Sequence, residues 1–188
     1  MNYTKTIRQF CSMNPYSLFD VSYMATDYFS MIPYKTLLRI LNRLEEEEIL
    51  LPVSKGVYYI KGEKEYNLDE AIKKYYVDNA CGMFVGCRMY NELKISDHSD
   101  DTVEIFTSRI GTAHKNIGSY HLTKADLYYD YRIRNIIESL ELIQHGNSIR
   151  EIDYVQYSML RSDGVTVQSD ECILYNRRIM QKRATVVR

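Results

Sequence analysis

PYKTLLRILNRLEEEEILLPVSKGVYYI, Pro33 to Ile60, is the stretch on which the fold turns. Tyr34, Leu37, Leu38, Leu41 and Leu44 recur every three or four residues, which sets them on one stripe of a helix of about four turns. Lys35, Arg39, Asn42 and Arg43 fall on the opposite side. Pro33 suits the first turn, where its missing N–H is not needed, and Pro52 ends anything helical after Leu51. LLPV and VYYI then flank Ser54-Lys55-Gly56, and Gly56 can take the positive φ that a tight hairpin requires. The stretch predicts a helix followed by a β-ribbon.

Upstream, Asp20 is a good N-cap for VSYMATDYF, whose Val21, Met24, Ala25 and Tyr28 keep helical spacing. Only Phe29 to Ile32 separate this segment from the Pro33 helix. Short helix, tight turn, longer helix and ribbon are the order of a winged helix-turn-helix. In that geometry the second helix enters the major groove of DNA, with its N-terminal half facing base edges and basic side chains reaching phosphates. The residues expected on the DNA side are Lys35, Thr36, Arg39, Arg43 and Lys55, together with Tyr34, whose angle lies closer to the core stripe. A basic helix face alone is more commonly that of a merely solvated helix, and it is the turn and ribbon around it that favour DNA. Glu45 to Glu48 run against DNA, because four carboxylates repel phosphate and oppose the helix macrodipole. They are expected to mark the end that points away from the duplex.

A chain of 188 residues with 45% hydrophobic content can build one large domain or two small ones with a packed core. Its formal net charge of −1 advertises no nucleic-acid partner globally, so any basic patch has to be local. Residues 1 to 62 carry seven Lys and Arg against six Asp and Glu, and four of those six are the Glu45 to Glu48 run. No segment approaches the roughly 20 apolar residues needed to span a bilayer, and MNYTKTIRQF lacks the apolar core of a signal peptide. The expectation is a cytoplasmic protein without a membrane partner. Cys11, Cys81, Cys87 and Cys172 are then reduced, buried structural thiols. A Cys81/Cys87 pair would need His98 or His114 to hold a metal, and its spacing is not that of a zinc knuckle, so no metal is expected.

Along the chain, Tyr3 to Met13 reads as a first helix with Ile7, Phe10 and Cys11 inward and Lys5 and Arg8 outward, ended by Asn14-Pro15. Lys61 to Glu65 is polar and marks a domain boundary, dividing a winged helix-turn-helix over residues 1–62 from an α+β domain over 66–188. In the second domain, Asp69 to Val77 is helical in composition, and MFVGCRMYNELKIS reads as a helix with Val85, Met89, Tyr90 and Leu93 on one face. TVEIFTSRI alternates as a strand, Gly111 to Lys115 reads as a loop, and NIGSYHLTK as the antiparallel partner strand. DYRIRNIIESLELIQ sets Ile133, Ile136, Ile137, Leu140 and Ile143 in helical register. IREIDYVQYSMLRS continues as helix, a further segment starts at a Ser169 or Asp170 cap, and Arg177, Arg178, Lys182, Arg183 and Arg188 form a basic tail. The fold class expected is α+β.

The winged module ending in SKGVYYIKG, followed by AIKKYYVDNACGMFVGCRMYNELKIS and then TVEIFTSRI and IGSYHLTK, resembles the AbiEi-type antitoxins of type IV toxin-antitoxin (abortive infection) systems. The resemblance covers roughly residues 4 to 125. It implies a repressor of its own operon whose C-terminal domain counters a nucleotidyltransferase-like toxin without an obligate complex. A two-fold operator would suit a homodimer, but no heptad seam is present, and a monomer on each half-site is equally compatible.

An enzyme has little to stand on here. The sequence holds no GxxxxGK[ST] loop, no GxSxG elbow, no HExxH and no CxxC pair. His98, His114, His121 and His145 are scattered, and Asp97, Asp100 and Asp101 sit on a solvated acidic loop. No catalytic residue and no cofactor is therefore expected. The 18 tyrosines, Tyr75-Tyr76 and Tyr128-Tyr129 with Tyr131 among them, read as core and rim. The competing expectation is a winged module that contacts protein instead of DNA, or a transcription regulator unconnected with any toxin.

Overall fold

Residues 2–145 are described in a computed structural model, where helices and strands combine into an α+β fold. The expectations for IREIDYVQYSMLRS, the Ser169 or Asp170 cap, Cys172 and the Arg177 to Arg188 tail lie outside the described residues. The chain divides between Tyr75 and Tyr76 into two units.

The first unit runs α1 (Tyr3–Met13), β1 (Leu18–Asp20), α2 (Val21–Asp27), α3 (Tyr34–Glu46), β2 (Leu50–Ser54) and β3 (Val57–Ile60). Caps explain where the helices start. Asn2 accepts the Lys5 amide at the head of α1, and Asp20 Oδ1 accepts the Ser22 and Tyr23 amides at 2.9 and 3.2 Å at the head of α2. The Pro33 carbonyl takes the amides of Thr36 and Leu37 as α3 begins. That helix ends before Pro52 can stop it: Glu48 turns left-handed at φ 54 and the Ile49 amide closes back on the Leu44 carbonyl at 2.9 Å. Pro52 instead lies in β2, and the sheet order β1-β3-β2 leaves β2 at an edge, where a missing donor is tolerated.

Both pairings in this sheet are antiparallel. Gly56, at φ 80, makes the turn between β2 and β3. β1 has no counterpart in the sequence expectations, since three residues paired only through tertiary contact carry no period of their own. The core gathers Ile7, Cys11, Phe19, Leu37, Leu41, Leu44, Leu50 and Ile60. Two positions correct the expected stripe of α3. Tyr34 is 55% exposed, whereas Ile40, read on neither side, is 8% exposed. The buried arc is centred on Leu37, Ile40, Leu41 and Leu44, which swings Tyr34 out of it. Tyr28 is likewise exposed and lays its ring against Phe10, centroids 5.5 Å apart.

The first unit continues past the polar stretch 61–65, where the sequence suggests a boundary. Asn67 caps α4 (Leu68–Ile72), which continues into a π-helical turn, Lys73–Val77. The Tyr66 hydroxyl donates to the Pro52 carbonyl at 3.2 Å, and its ring lies 5.2 Å from that of Tyr59. Lys74 donates to the Tyr16 carbonyl at 2.8 Å, and the Tyr75 hydroxyl donates to Asp20 Oδ2. These ties make 61–65 a surface turn inside the unit.

The second unit contains β4 (Gly82–Val85), α5 (Cys87–Glu92), β5 (Val103–Thr107), β6 (His114–Ile117), β7 (Tyr120–Lys124) and α6 (Tyr131–His145). Its sheet order is β4-β5-β7-β6. Three expectations are corrected. Gly82 to Val85 is a strand buried along its whole length, and Gly86, at φ 64, ends it so that only Cys87–Glu92 is helical. β7 does lie beside β5, but in parallel, with Ile105 opposite Leu122. Parallel pairing needs a crossover, and the chain returns through β6, an antiparallel partner of β7 formed partly from the expected 111–115 loop. In α6, Ile136, Ile137 and Leu142 are buried while Ile143 is 52% exposed, so the inward face passes through Leu142.

The backbone of this unit is irregular at its start, where Asn79 and Ala80 are both left-handed. Side chains from distant positions collect the carbonyls that result. The Thr107 hydroxyl bonds the carbonyls of Tyr76 and Cys81 at 2.8 and 3.1 Å. Arg134 reaches those of Val77, Gly82 and Tyr129 at 3.2, 2.8 and 3.0 Å. A buried carbonyl left without a donor costs about 1–3 kcal/mol, so these two side chains hold the turn in place.

Candidate nucleic-acid interface

Burying Leu37, Ile40, Leu41 and Leu44 forces the opposite face of α3 into solvent, and that face carries Lys35, Arg39, Asn42 and Arg43, all exposed. Thr36 sits half-buried at its margin. Among the described residues none of Lys35, Arg39, Arg43 or Lys55 has an ion-pair partner. Their charge is therefore available to a ligand.

The acidic run behaves differently. Arg8 on α1 donates to Glu47 Oε1 at 2.6 Å, and Lys61, just beyond β3, donates to Glu48 Oε2 at 2.8 Å. The Lys61 hydrogen bond and charge hold the Glu48 carboxyl below its ordinary value. Glu45 faces the hydroxyl of Tyr58, whose own pKa is raised first by burial and then by that carboxylate. These exposed pairs add little stability. Their effect is electrostatic: two of the four carboxylates at the C-terminal end of α3, Glu47 and Glu48, are offset locally. Arg8, read in the sequence as an outward residue of the first helix, is occupied by Glu47.

Lys55 stands exposed at the ribbon tip. The ribbon turns in two residues, Lys55 and Gly56, between Ser54 and Val57. Its tip is fastened by the Val21 amide, which donates to the Gly56 carbonyl at 2.9 Å. The ribbon is thus short and held to the start of α2.

Thr36, Arg39 and Arg43 also form one wall of an open cleft of about 540 Å³, whose other wall is the head of α1 at Asn2, Tyr3 and Thr4. Sequence reasoning placed the three α3 residues on a common side but gave no reason to pair them with α1. The only local signal there is the Asn2 cap, which speaks to a helix start and not to a site. On the other flank of α3, Tyr34 is exposed, as are Tyr23, Tyr28 and Met31 of the preceding helix and turn. The six expected residues therefore share one unit, with Thr36, Arg39 and Arg43 brought into one cleft, Lys35 exposed beside them and Tyr34 and Lys55 apart.

The cysteines correct the expectation of uniformly buried thiols. Cys11 is buried, and desolvation pushes its pKa up to about 11. Cys81 and Cys87 are only partly covered. Cys87 donates to the His98 carbonyl at 2.8 Å, while Cys81 accepts from Arg109 Nε at 3.1 Å, so the two thiols serve separate sites. Among the described residues no three His, Cys, Asp or Glu side chains gather as a metal site, and no helix is long and apolar enough to cross a membrane. No protein-family model matches this chain, and no curated protein matches it.

Proposed function

We propose that the first unit binds double-stranded DNA as a winged helix-turn-helix, with α3 in the major groove and Lys55 at a short wing. The observation that carries this is the row of cations, Lys35, Arg39 and Arg43, without an ion-pair partner among the described residues, on the exposed face of a helix whose acidic end is partly offset by Arg8 at Glu47 and Lys61 at Glu48. The order α1-β1-α2-α3-β2-β3 supports the same reading. Tyr34, exposed at the N-terminal end of α3, now stands with the binding residues. We further propose, on the resemblance to AbiEi-type antitoxins, that the chain is an autoregulator in the cytoplasm and counters a nucleotidyltransferase-like toxin without an obligate complex. It has no enzymatic activity of its own.

The test is a mobility shift of the full-length protein on the duplex just upstream of its own gene, at two salt concentrations with scrambled competitor. Specific binding that weakens with salt is expected, and Arg39→Ala should cost about 1–3 kcal/mol if Arg39 reads a base edge. Absence of binding to any duplex would assign the unit to a protein partner instead. The antitoxin role is tested by co-expression with the product of the neighbouring gene: rescue of growth supports it, and growth arrest that the protein fails to relieve removes it.

A further inference from the structure

We infer that the cleft between the head of α1 and the Thr36-Arg39-Arg43 wall of α3 holds a phosphate group, and that this phosphate belongs to the backbone of bound duplex DNA. The inference rests on the DNA-binding reading and adds to it a second element, α1, and a division of labour along α3.

Three observations converge. Two guanidinium groups on one flank of α3 line the same concavity, and among the described residues neither has a carboxylate partner. A guanidinium offers a planar fork of donors that matches two phosphate oxygens at once, which an ammonium does not. Of the two outward cations on α1, Arg8 is withdrawn by Glu47 and Lys5 does not line the cleft, so the cations lining it are Arg39 and Arg43. The opposite wall supplies polar side chains, Asn2 and Thr4, and no carboxylate. Asn2 Oδ1 is taken by the Lys5 amide, so that side chain can offer only its neutral Nδ2 donor, and the charge comes from the arginines.

The occupant follows from position. Arg39 lies near the middle of the exposed face of α3, whereas Arg43 is one turn further along, away from the N-terminal half that faces base edges in this geometry. A side chain there meets the sugar-phosphate wall of the groove. Arg43 thus positions the duplex, and Arg39 is left to reach from the cleft toward a base.

The experiment measures full-length protein, Arg43→Gln and Arg88→Gln on fluorescent duplexes, one carrying the upstream DNA and one scrambled, across a series of KCl concentrations. Arg88 lies in the second unit, paired with Glu92, and does not line the cleft, so its replacement removes the same charge without touching the lining. Isothermal titration with inorganic phosphate and with a short polyphosphate forms a parallel arm, and circular dichroism checks that each variant is folded. For Arg43→Gln the expected result is loss of affinity by a similar factor on both duplexes, with the slope of log K against log salt reduced by about 0.9. Arg88→Gln should leave that slope unchanged. A loss confined to the upstream sequence with an unaltered slope would make Arg43 a base reader and overturn the inference, while DNA binding itself stands. Wild-type protein that ignores both duplexes but binds polyphosphate through Arg43 would keep the phosphate cleft and overturn its assignment to DNA. Binding of neither probe would overturn both.

Discussion

The two units solve the same problem, backbone satisfaction around a small core, by different means. In the first, each helix is closed by its own neighbours: Asn2 and Asp20 cap the starts, Glu48 and Ile49 close the end of α3, and a two-residue turn joins β2 to β3. In the second, carbonyls of a π-helical turn, at Tyr76 and Val77, and of Cys81 and Gly82 just beyond two left-handed residues are collected by Thr107 and Arg134, which come from a strand and a helix far along the chain. Local closure leaves a tolerant backbone and concentrates stability in side-chain packing. Remote closure makes the backbone itself the vulnerable part.

Substitutions that separate backbone crowding from packing test this contrast. The largest effect is expected at Gly82, where an added Cβ would fall 2.3 Å from the Tyr76 carbonyl oxygen and 2.4 Å from that of Phe106. Neither backbone can yield, so Gly82→Ala should destabilise the second unit by more than about 3 kcal/mol, read from urea unfolding and from faster hydrogen exchange in β4 and β5. A near-neutral result would show that the π-helical turn moves freely, and the contrast would collapse. Leu41→Ala should cost about 3 kcal/mol in the first unit, through a cavity in a fully buried position. Leu41→Met should recover most of that loss, because volume and not backbone geometry is what the site requires. Failure of methionine to rescue would mean that the first unit is also held by exact shape.

The smallest effect concerns Glu138 on α6. Burial holds its carboxyl above the ordinary value of 4.5, Glu92 adds to the shift and Arg134 opposes it. A raised folded-state pKa means that the contribution to stability is complete below the unfolded value and is lost as pH rises through the folded one. Glu138→Gln should therefore leave the second unit more stable at pH 7 than the parent, with a shallower fall in stability above pH 4.5. Urea midpoints at pH 4, 5.5 and 7 check the sign, and parallel curves for both proteins would remove Glu138 from the account.

The difference between the units also explains what could be read from sequence. Period, caps and turn residues are contiguous signals, so α1, α2, α3 and the Gly56 hairpin are legible as elements, although the exposed Tyr28 and Tyr34, the buried Ile40 and the end of α3 are not. β1 was not, because its partner β3 lies some forty residues on and its three residues carry no period. In the second unit His114–Ile117 is polar and alternates weakly, which hid a strand and with it the parallel pairing of β5 with β7. The charges of the candidate site were legible as a face of α3. Its second wall was not, since nothing in Asn2, Tyr3 and Thr4 distinguishes a cleft from an ordinary helix start. Nor could spacing show that Arg8 and Lys61 would pair with Glu47 and Glu48 of the glutamate run.

Asp20 has a consequence for anyone dividing this chain. One carboxylate oxygen caps α2 and the other accepts the Tyr75 hydroxyl, so a single side chain ties the start of the helix pair to the last residue of the unit. A fragment cut after Glu65, where composition invites the scissors, would discard Tyr66, Lys74 and Tyr75 and leave Pro52, Tyr16 and Asp20 without those donors. A fragment carried through Tyr75 keeps all three. The shortest portable version of the first unit is thus set by a phenol beyond the last strand, and not by the strand itself.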